Sequence, residues 1–315
     1  MATPEPAAAR AQAERNHGLW IFLIWLPLAV AADLLIWFVW KPHLPPGTMS
    51  SSAEHQQFDI AVLAMVAAPV MLFIWVYAAY ALVNWRHRAG DEGDGPPIFG
   101  NTKIQATWIG ATAVIVLGLF VFGTVELIVP AGAGAGEGPV PIWKPGTSHM
   151  LEVQVIGQQW AFTYRWPQFG GMETSQLVLP NNATVEFHVT SLDVIHSFWA
   201  YQLGVKADAN PGVDNIAYTT TKEPGTFTVR CNELCGLWHG AMFNYGHIVS
   251  PGAFRLWATR WQALEAHNGL LAELPPYRPS YDPTVIPQLG ASIVKIDGIT
   301  GAAGYYYPPQ DPVTP

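Results

Sequence analysis

Charged residues are scarce in this chain, and their scarcity sets the first limits on what it can be. Asp, Glu, Lys and Arg make up 12% of its 315 residues, whereas soluble domains usually contain about 25%. Half of the residues are hydrophobic. This composition excludes an intrinsically disordered chain, and it indicates that part of the chain lies in lipid.

Cysteine and positive charge are also in short supply. Only two cysteines are present, Cys231 and Cys235, which excludes a disulfide-rich scaffold. The formal net charge is −8, so the chain is not expected to bind nucleic acid, whose phosphates are held mainly by Lys and Arg. No Cys-x-x-Cys-His sequence occurs, so a covalently attached c-type haem is not expected.

Three long apolar runs predict transmembrane helices, because each exceeds the roughly 20 residues needed to cross the hydrocarbon core. The predicted spans are 19–40, 58–85 and 104–129. The segment 1–18 and the loop 86–103 contain five of the six basic residues that flank these runs. The positive-inside rule therefore places both segments in the cytoplasm and the chain after about residue 130 outside.

The first run has a second interpretation. Arg10 and Arg15, the apolar stretch and the sequence Ala-Val-Ala at 29–31 resemble a cleavable signal peptide. The run continues to Trp40, however, which is longer than the apolar part of an ordinary signal peptide. A retained helix is the favoured interpretation, and the signal peptide stays open as the alternative.

The rest of the chain has the pattern of a β-domain. Residues 131–148 are rich in Gly and Pro and predict a linker. Within 149–268, short alternating segments such as 185–189 are separated by turn residues, which predicts an antiparallel sandwich or barrel. Helical spacing follows at 252–267. The Pro/Tyr-rich C-terminal extension 269–315 is expected to lie against another surface because of its tyrosines.

Metal-binding side chains are concentrated between residues 231 and 242. This stretch contains the thiols of Cys231 and Cys235, the imidazole of His239 and the thioether of Met242, and His196 lies upstream. Soft thiolate and thioether ligands favour copper over hard cations. A Cys-x₃-Cys loop allows both sulfurs to point inward and to bridge two metal ions, each with one terminal histidine.

Other interpretations of these residues stay open. The two cysteines could form a disulfide outside the cytoplasm, although this leaves the histidines and Met242 unexplained. Two Cys and two His also suit a tetrahedral zinc site, which the spacing alone does not exclude. Taken singly, Met242 would more often fill a core, and His196 would more often be a buried histidine with a hydrogen-bond partner.

The joint pattern resembles subunit II of the haem–copper cytochrome c oxidases, the subunit that contains the binuclear CuA centre. The resemblance covers roughly residues 55–268. It rests first on Cys-x-Glu-x-Cys-x₃-His-x₂-Met at 231–242 and on Asp-Val-Ile-His-Ser-Phe at 193–198. Further similarity lies at 204–212, in the aromatic segment 157–164 and at 101–108.

This resemblance implies a fold and a set of site residues. The implied fold is N-terminal transmembrane helices followed by a cupredoxin-like Greek-key β-sandwich. Two copper ions would be bound by His196, Cys231, Cys235, His239, Met242 and the carbonyl of Glu233. The Glu233 carboxylate would bind a magnesium ion shared with subunit I, and Trp160 would be the point at which electrons enter from cytochrome c.

The resemblance also implies an enzyme, cytochrome c oxidase, of which this chain would be the electron-accepting subunit. Electrons from cytochrome c would pass through CuA to haem a in subunit I, where O₂ is reduced to water and protons are pumped. The implied partners are subunit I, other oxidase subunits, cytochrome c and membrane lipid. The implied location is the bacterial inner membrane, with the CuA domain on the periplasmic side. Acidic residues, with Asp193, Asp208 and Asp214 as candidates, would attract a basic cytochrome c.

The sequence departs from the family in several places, and rival functions remain. The span 19–40 and the extension 269–315 are additional, and Gln105 stands where the family usually has a glutamate at a proton-channel mouth. A membrane-anchored copper-delivery protein is the alternative function, but it needs neither His239 nor Met242. A quinol oxidase subunit lacks the copper ligands, and nitrous oxide reductase needs a second large domain.

Overall fold

The computed structural model describes residues 16–86, 99–128, 136, 138–141, 144–147 and 149–267. Most of the predicted segment 1–18 and of the loop 86–103, and half of the linker 131–148, lie outside the described residues. So does the whole extension 269–315. The chain forms two compact units, one of residues 1–44 and 58–119 and one of residues 45–57 and 120–315.

Within the described part of the chain, three helices are long and apolar enough to cross a membrane. They are α1 (His17–Leu35, continued by a π turn at Ile36–Trp40 and a 3₁₀ turn at Lys41–His43), α2 (Ser51–Asn84) and α3 (Thr102–Ile128). Their apolar side chains are largely exposed, as lipid-facing helices require.

Helix α1 is continuous through 29–31, where the signal-peptide interpretation places a cleavage site. It begins at Asn16, whose side-chain oxygen accepts a hydrogen bond from Leu19 N at 3.0 Å, as an N-cap residue does. Within the first unit, the Trp25 indole donates to the carbonyl of Pro69 in α2 at 2.8 Å. Helix α1 is therefore joined to α2 by a polar contact as well as by apolar side chains.

Helix α2 begins at Ser51, seven residues before the predicted span 58–85. The reason is that its polar first turns are stabilised by the β-domain rather than by lipid. Ser50 caps the helix by accepting from Ala53 N at 3.1 Å, and its hydroxyl donates to the Leu203 carbonyl at 2.6 Å. The apolar run alone therefore does not reveal the polar first turns of this helix.

The β-domain consists of two five-stranded sheets and a C-terminal helix. Sheet 1 has the strand order β3-β2-β1-β5-β8, and sheet 2 has the order β4-β10-β9-β6-β7. The strands are β1 (Leu151–Gln158), β2 (Ala161–Trp166), β3 (Met172–Thr174), β4 (Val178–Pro180), β5 (Thr184–Ser191), β6 (His196–Ala200), β7 (Val205–Ala209), β8 (Asn215–Thr220), β9 (Gly225–Cys231) and β10 (Phe243–Val249).

The predicted antiparallel sandwich contains two parallel strand pairs. Strand β1 pairs with β5, and β4 pairs with β10, in parallel register. In both cases the chain crosses to the other sheet before it returns, so the paired strands are not joined by a hairpin. The remaining pairs are antiparallel.

The core lies between the two sheets. Along β5, Val185, Phe187 and Val189 are fully buried and belong to one cluster with Phe198 of β6, as the period-2 alternation predicts. Helix α4 (Pro251–His267) packs against this domain through Trp257, whose ring lies 5.2 Å from that of Trp166. The predicted fold class, apolar N-terminal helices followed by a β-sandwich, is confirmed.

Candidate metal centre

Backbone pairing between β6 and β9 brings the first donor residues together. His196 is the first residue of β6 and Cys231 is the last of β9, and the two strands run antiparallel. The pairing continues into the loop, because Asn232 N donates to the Ser197 carbonyl at 2.9 Å. The sheet therefore fixes an imidazole and a thiol at the same end of the sandwich.

The loop from Cys231 to Met242 returns the chain to β10 and places the other donors. Cys231 N donates to the Met242 carbonyl at 3.0 Å, which closes the loop at its base. Gly236 has a φ of 116°, a conformation that L side chains rarely adopt. A short 3₁₀ turn then begins at His239.

The sulfurs and imidazole nitrogens converge on one spot. The Sγ atoms of Cys231 and Cys235 lie 3.7 Å apart. His196 Nδ1 is 3.8 Å from the Cys231 sulfur, and His239 Nδ1 is 3.5 Å from the Cys235 sulfur. Met242 Sδ lies 3.8 Å from Cys235 Sγ. The structure thus brings together all five side chains that the sequence singled out.

These separations suit donors that share a metal ion. With metal–sulfur bonds of about 2.3 Å and metal–nitrogen bonds of about 2.0 Å, tetrahedral geometry puts two sulfurs about 3.8 Å apart and a sulfur and a nitrogen about 3.5 Å apart. A disulfide would require about 2.05 Å between the sulfurs, and both cysteines are free thiols. The donor set therefore fits a soft metal, and the disulfide interpretation does not match the structure.

The main-chain oxygen of Glu233 also faces the cluster. It lies 3.2 Å from Cys231 Sγ, whereas the Glu233 side chain is exposed. The carbonyl and the carboxylate of this residue thus point to different surroundings, the sulfur cage and the outside of the loop.

Asp193 orients His196. Its Oδ1 lies 2.8 Å from His196 Nε2, which leaves Nδ1 facing the sulfurs. Burial by itself lowers the pKa of His196, but hydrogen bonds to Asp193 and Cys231 outweigh it and raise the pKa to about 9. A carboxylate behind a metal-binding imidazole is the usual way in which proteins fix its orientation. Sequence reasoning assigned Asp193 only to an acidic surface.

The two thiols differ in acidity. Burial raises the pKa of the Cys231 thiol, but hydrogen bonds to His196 and to backbone groups outweigh this effect and lower it. Burial, reinforced by the neighbouring Cys231, raises the pKa of Cys235. A cation that binds both sulfurs must therefore displace a tightly held proton from Cys235.

Gly157 has no side chain, and this leaves room for the ring of His196. A Cβ atom there would lie 3.0 Å from His196 Cδ2 and 3.4 Å from the Ala209 Cβ. Gly157 lies on β1 of the opposite sheet, so the ring is held between the sheets. The sequence contained this glycine in its aromatic segment but gave no sign of its contact with the histidine.

Trp160 contacts the sulfur-bearing loop directly. Its indole Nε1 donates to the Cys235 carbonyl at 3.2 Å, and the side chain of Gln159 donates to the same oxygen at 2.8 Å. The ring is only partly buried and packs against the core. Trp160 therefore connects the solvent side of the domain with the backbone of a cysteine.

The other predicted acidic contributors are placed differently. Asp214 is 4% exposed, and its carboxylate lies 2.7 Å from His188 Nδ1, so it cannot attract a partner. The second ring nitrogen of His188 lies 3.7 Å from Glu186, which accepts from the Tyr218 hydroxyl at 2.9 Å. Asp208 is exposed and paired with Lys206 at 3.4 Å. Sequence reasoning missed this buried network.

Comparisons with known proteins agree with the motif-based resemblance. The family described as cytochrome C oxidase subunit II, periplasmic domain, matches residues 172–245. The chain is 29% identical over 291 residues to cytochrome c oxidase subunit 2 of Thermostichus vulcanus, covering 76% of this chain and 86% of that one. It is 27% identical over 257 residues to the same subunit of Synechocystis sp., covering 70% and 77%.

Among solved structures, the periplasmic domain of subunit II of the cytochrome oxidase of Bradyrhizobium japonicum is similar to this chain. It is 28% identical and has a TM-score of 0.36, and the match covers 38% of this chain and 97% of that domain. The resemblance to cytochrome c oxidase subunit II is thus confirmed by relatives that extend over most of the chain.

Proposed function

We propose that this chain is the electron-accepting subunit of a bacterial cytochrome c oxidase. Its apolar helices would hold it in the inner membrane, and its β-domain would face the periplasm. Cytochrome c would be its electron donor, and haem a in subunit I would be its acceptor, for reduction of O₂ to water coupled to proton pumping. The observation that carries the proposal is the convergence of two thiols, two imidazoles and a thioether within one buried cage.

The residues of the cage have distinct roles in this proposal. Cys231 and Cys235 would bridge two copper ions, with His196 and His239 as terminal ligands and Met242 and the Glu233 carbonyl as weak axial ligands. When bound, such a copper pair supplies a carrier for one electron at a time. The protein supplies rigidity, because β6 and β9 fix His196 and Cys231 through the sheet.

The placement of the imidazoles supports two ions rather than one. The ligand atoms of His196, Cys231 and Cys235 all lie within 4.8 Å of one another, and His239 is not a member of this group. In a single tetrahedral site all four ligand atoms would be within about 4 Å of one another. His239 instead approaches Cys235 from another side, at 3.5 Å. This arrangement favours a bridged pair over a zinc ion with two Cys and two His ligands.

Glu233 would bind a magnesium ion at the boundary with subunit I. Its exposed carboxylate, next to Cys231 and Cys235 in the chain, would bind magnesium together with groups from subunit I. The neighbouring Leu234 and Leu237 are 79% and 84% exposed. Exposed apolar side chains beside an exposed carboxylate are typical of a surface that a partner covers.

Trp160 would receive electrons from cytochrome c. The hydrogen bond from its indole to the Cys235 carbonyl provides a short covalent and hydrogen-bonded path from the surface to a cysteine. The ring is partly exposed, as contact with a donor requires. The excess of acids after residue 131, 14 against 9 basic residues, would attract a basic donor.

Metal analysis of the purified complex tests the copper proposal. We expect two copper ions per chain at the sulfur cage and no zinc there. The variant Met242→Leu should weaken copper binding and change the visible spectrum because it removes an axial ligand. Met172→Leu is the matched control, since Met172 is an equally buried methionine in the core. Zinc in place of copper, or an unchanged spectrum in Met242→Leu, would contradict the ligand assignment.

A tryptophan substitution tests the electron-accepting role. Trp160→Phe removes the indole N–H and should slow electron transfer from cytochrome c at least about tenfold, while copper content and spectrum stay the same. Trp238→Phe is the control, because Trp238 is 57% exposed on the same loop surface. Equal turnover in wild type and Trp160→Phe would reject this role without touching the copper assignment.

A further inference from the structure

Sheet 2 carries an aromatic and basic surface on the side that faces away from the core. The strand registers place Lys206 beside Trp199, Trp199 beside Arg230, and Arg230 beside Phe243. Tyr245 follows two residues later on β10, with its ring 4.9 Å from that of Phe243. These five residues, Lys206, Trp199, Arg230, Phe243 and Tyr245, form what we call the aromatic face.

The aromatic face is open and differs in charge from the rest of the domain. Phe243 is 41% exposed and Tyr245 is 51% exposed, and the Arg230 guanidinium lies 5.2 Å from the Phe243 ring. Exposed aromatic rings with a neighbouring cation are typical of binding surfaces. Lys206 is paired with Asp208 on the same strand, so Arg230 is the cation that gives this face its positive charge and that would repel a basic electron donor. The aromatic face therefore belongs to a different partner.

The extension of the same chain has the matching chemistry. Residues 305–312 read Tyr-Tyr-Tyr-Pro-Pro-Gln-Asp-Pro, and Asp311 is their only charge. Proline-rich segments bind aromatic-lined surfaces readily, because the restricted proline backbone loses little conformational entropy on binding. An acidic group beside the prolines complements the Arg230 guanidinium of the aromatic face.

We propose that the aromatic face binds the Tyr/Pro-rich segment 305–312 of this chain. The prolines lie against the exposed rings of Phe243 and Tyr245, and Asp311 pairs with Arg230. The segment thus covers the side of sheet 2 that is left open by the described residues. This proposal concerns the surface of the sandwich and does not depend on the identity of the bound metal.

The length of the chain allows this contact. Helix α4 ends at His267 and packs against β4, which is next to β10 in sheet 2. A random chain of about 38 residues, the number from 267 to 305, would have a root-mean-square extension of roughly 35 Å, close to the diameter of a domain of this size. Tethering gives an effective concentration of about 1 mM, so an isolated affinity of about 0.1 mM would suffice for roughly 90% occupancy.

Hydroxyl-radical footprinting of the full-length chain in its purified complex tests the proposal. The labelling of Phe243 and Tyr245 is compared with that in a chain from which 305–315 is deleted. We expect the deletion to increase their labelling at least about threefold, while Trp238 on the metal loop is labelled equally in both. Equally strong labelling in the two chains means that nothing covers the face. Equally weak labelling means that another subunit covers it, and either result overturns the proposal.

A charge exchange makes the test specific to the proposed pair. Arg230→Glu and Asp311→Lys should each expose Phe243 and Tyr245 as strongly as the deletion does. The double variant restores the pair with reversed charges and should restore the protection. An unchanged copper spectrum in Arg230→Glu confirms that the neighbouring Cys231 is undisturbed. Failure of the double variant to recover protection would contradict the Asp311–Arg230 contact.

Discussion

The two ends of strand β6 are built in different ways. At its start, His196 joins a cage whose other donors lie within one short loop, 231–242. Beyond its far end, the Leu203 and Gly204 carbonyls accept hydrogen bonds from Ser50 and Gln56, residues about 150 positions earlier in the chain. We call this second region the polar seam, formed by residues 50–57 with 203–204 and 219–222.

The polar seam contains neutral hydroxyls and one ion pair rather than metal ligands. The Ser52 hydroxyl donates to Thr219 Oγ1 at 2.7 Å, and Ser51 Oγ accepts from Thr220 N at 3.0 Å. Glu54 and Lys222 form a salt bridge there. The cage at the start of β6 thus depends on a few donor side chains, whereas the seam depends on hydrogen bonds from polar side chains and on the close approach of Gly204 to the backbone of Ala53. Substitutions should separate these two dependences.

The largest effect is expected at the metal end, from Gly157→Ala. The added methyl group would meet His196 Cδ2 at 3.0 Å and push the imidazole away from the sulfurs. We expect copper affinity to fall by about 100-fold, or about 2.7 kcal/mol, as for changes that misorient a ligand, with little loss of folded protein. Copper titration measures this loss.

Gly240→Ala is the control for that experiment. Gly240 lies in the metal loop itself, but a Cβ atom there meets nothing within 4 Å. Copper affinity should therefore stay at the wild-type value. If Gly157→Ala also binds copper normally, the close packing of His196 against β1 has no part in holding the cage.

A smaller effect, on stability rather than metal binding, is expected at the polar seam from Gly204→Ala. Gly204 has a φ of 60°, and a Cβ atom would lie 2.9 Å from Ala53 N. Strain and clash together should lower the free energy of unfolding by about 2 kcal/mol. Thermal unfolding of the β-domain followed by near-ultraviolet circular dichroism measures this change.

Gly212→Ala separates the two causes. Gly212 has a similar φ of 74°, but a Cβ atom meets nothing within 4 Å. Gly212→Ala should therefore lower the free energy of unfolding only by the backbone strain, about 1 kcal/mol. If the two variants lose the same free energy of unfolding, the close contact between Gly204 and α2 makes no contribution to stability at the seam.

The smallest effect depends on pH and involves neither end. Burial lowers the pKa of His188, but its hydrogen bond to Asp214 and the nearby Glu186 and Glu152 outweigh this and raise it. Stability from the charged imidazole is then fully present below about pH 6.5 and is lost as the pH rises through the elevated pKa. His188→Gln should therefore cost about 1 kcal/mol at pH 6 and less at alkaline pH.

His247→Gln should change the stability of the domain with pH in the opposite direction. Burial lowers the pKa of His247, so protonation at low pH destabilises the folded domain, and the substitution should relieve that loss. Unfolding curves for both variants from pH 5 to about pH 9 measure the two trends. Parallel pH profiles for wild type and His188→Gln would rule out a charged His188 in the buried network.

The difference between the two ends of β6 explains why the sequence predicted the metal-binding residues but not the polar seam. The metal donors are close together in the chain and belong to residue types with few other roles in that combination, so their convergence was predictable. The seam residues are serines and threonines with many possible partners, and nothing local in the sequence pairs Ser50 with Leu203. For the same reason the apolar run 58–85 did not indicate that helix α2 begins at Ser51.

Other differences have the same physical origin. Asp214 was expected on an acidic surface because a lone aspartate is usually solvated, but it is buried against His188, a residue 26 positions away. The parallel pairs β1–β5 and β4–β10 depend on crossovers between sheets, which the alternation of side chains does not encode. Periodicity predicted which residues face the core, and topology had to come from the structure.

Electron paramagnetic resonance of the oxidised full-length protein tests the central claim most directly. We predict one unpaired electron shared equally by two copper nuclei, visible in the hyperfine pattern, and its loss in Cys235→Ser because one bridging sulfur is removed. A spectrum from a single copper nucleus, or a native spectrum that survives in Cys235→Ser, would contradict the account.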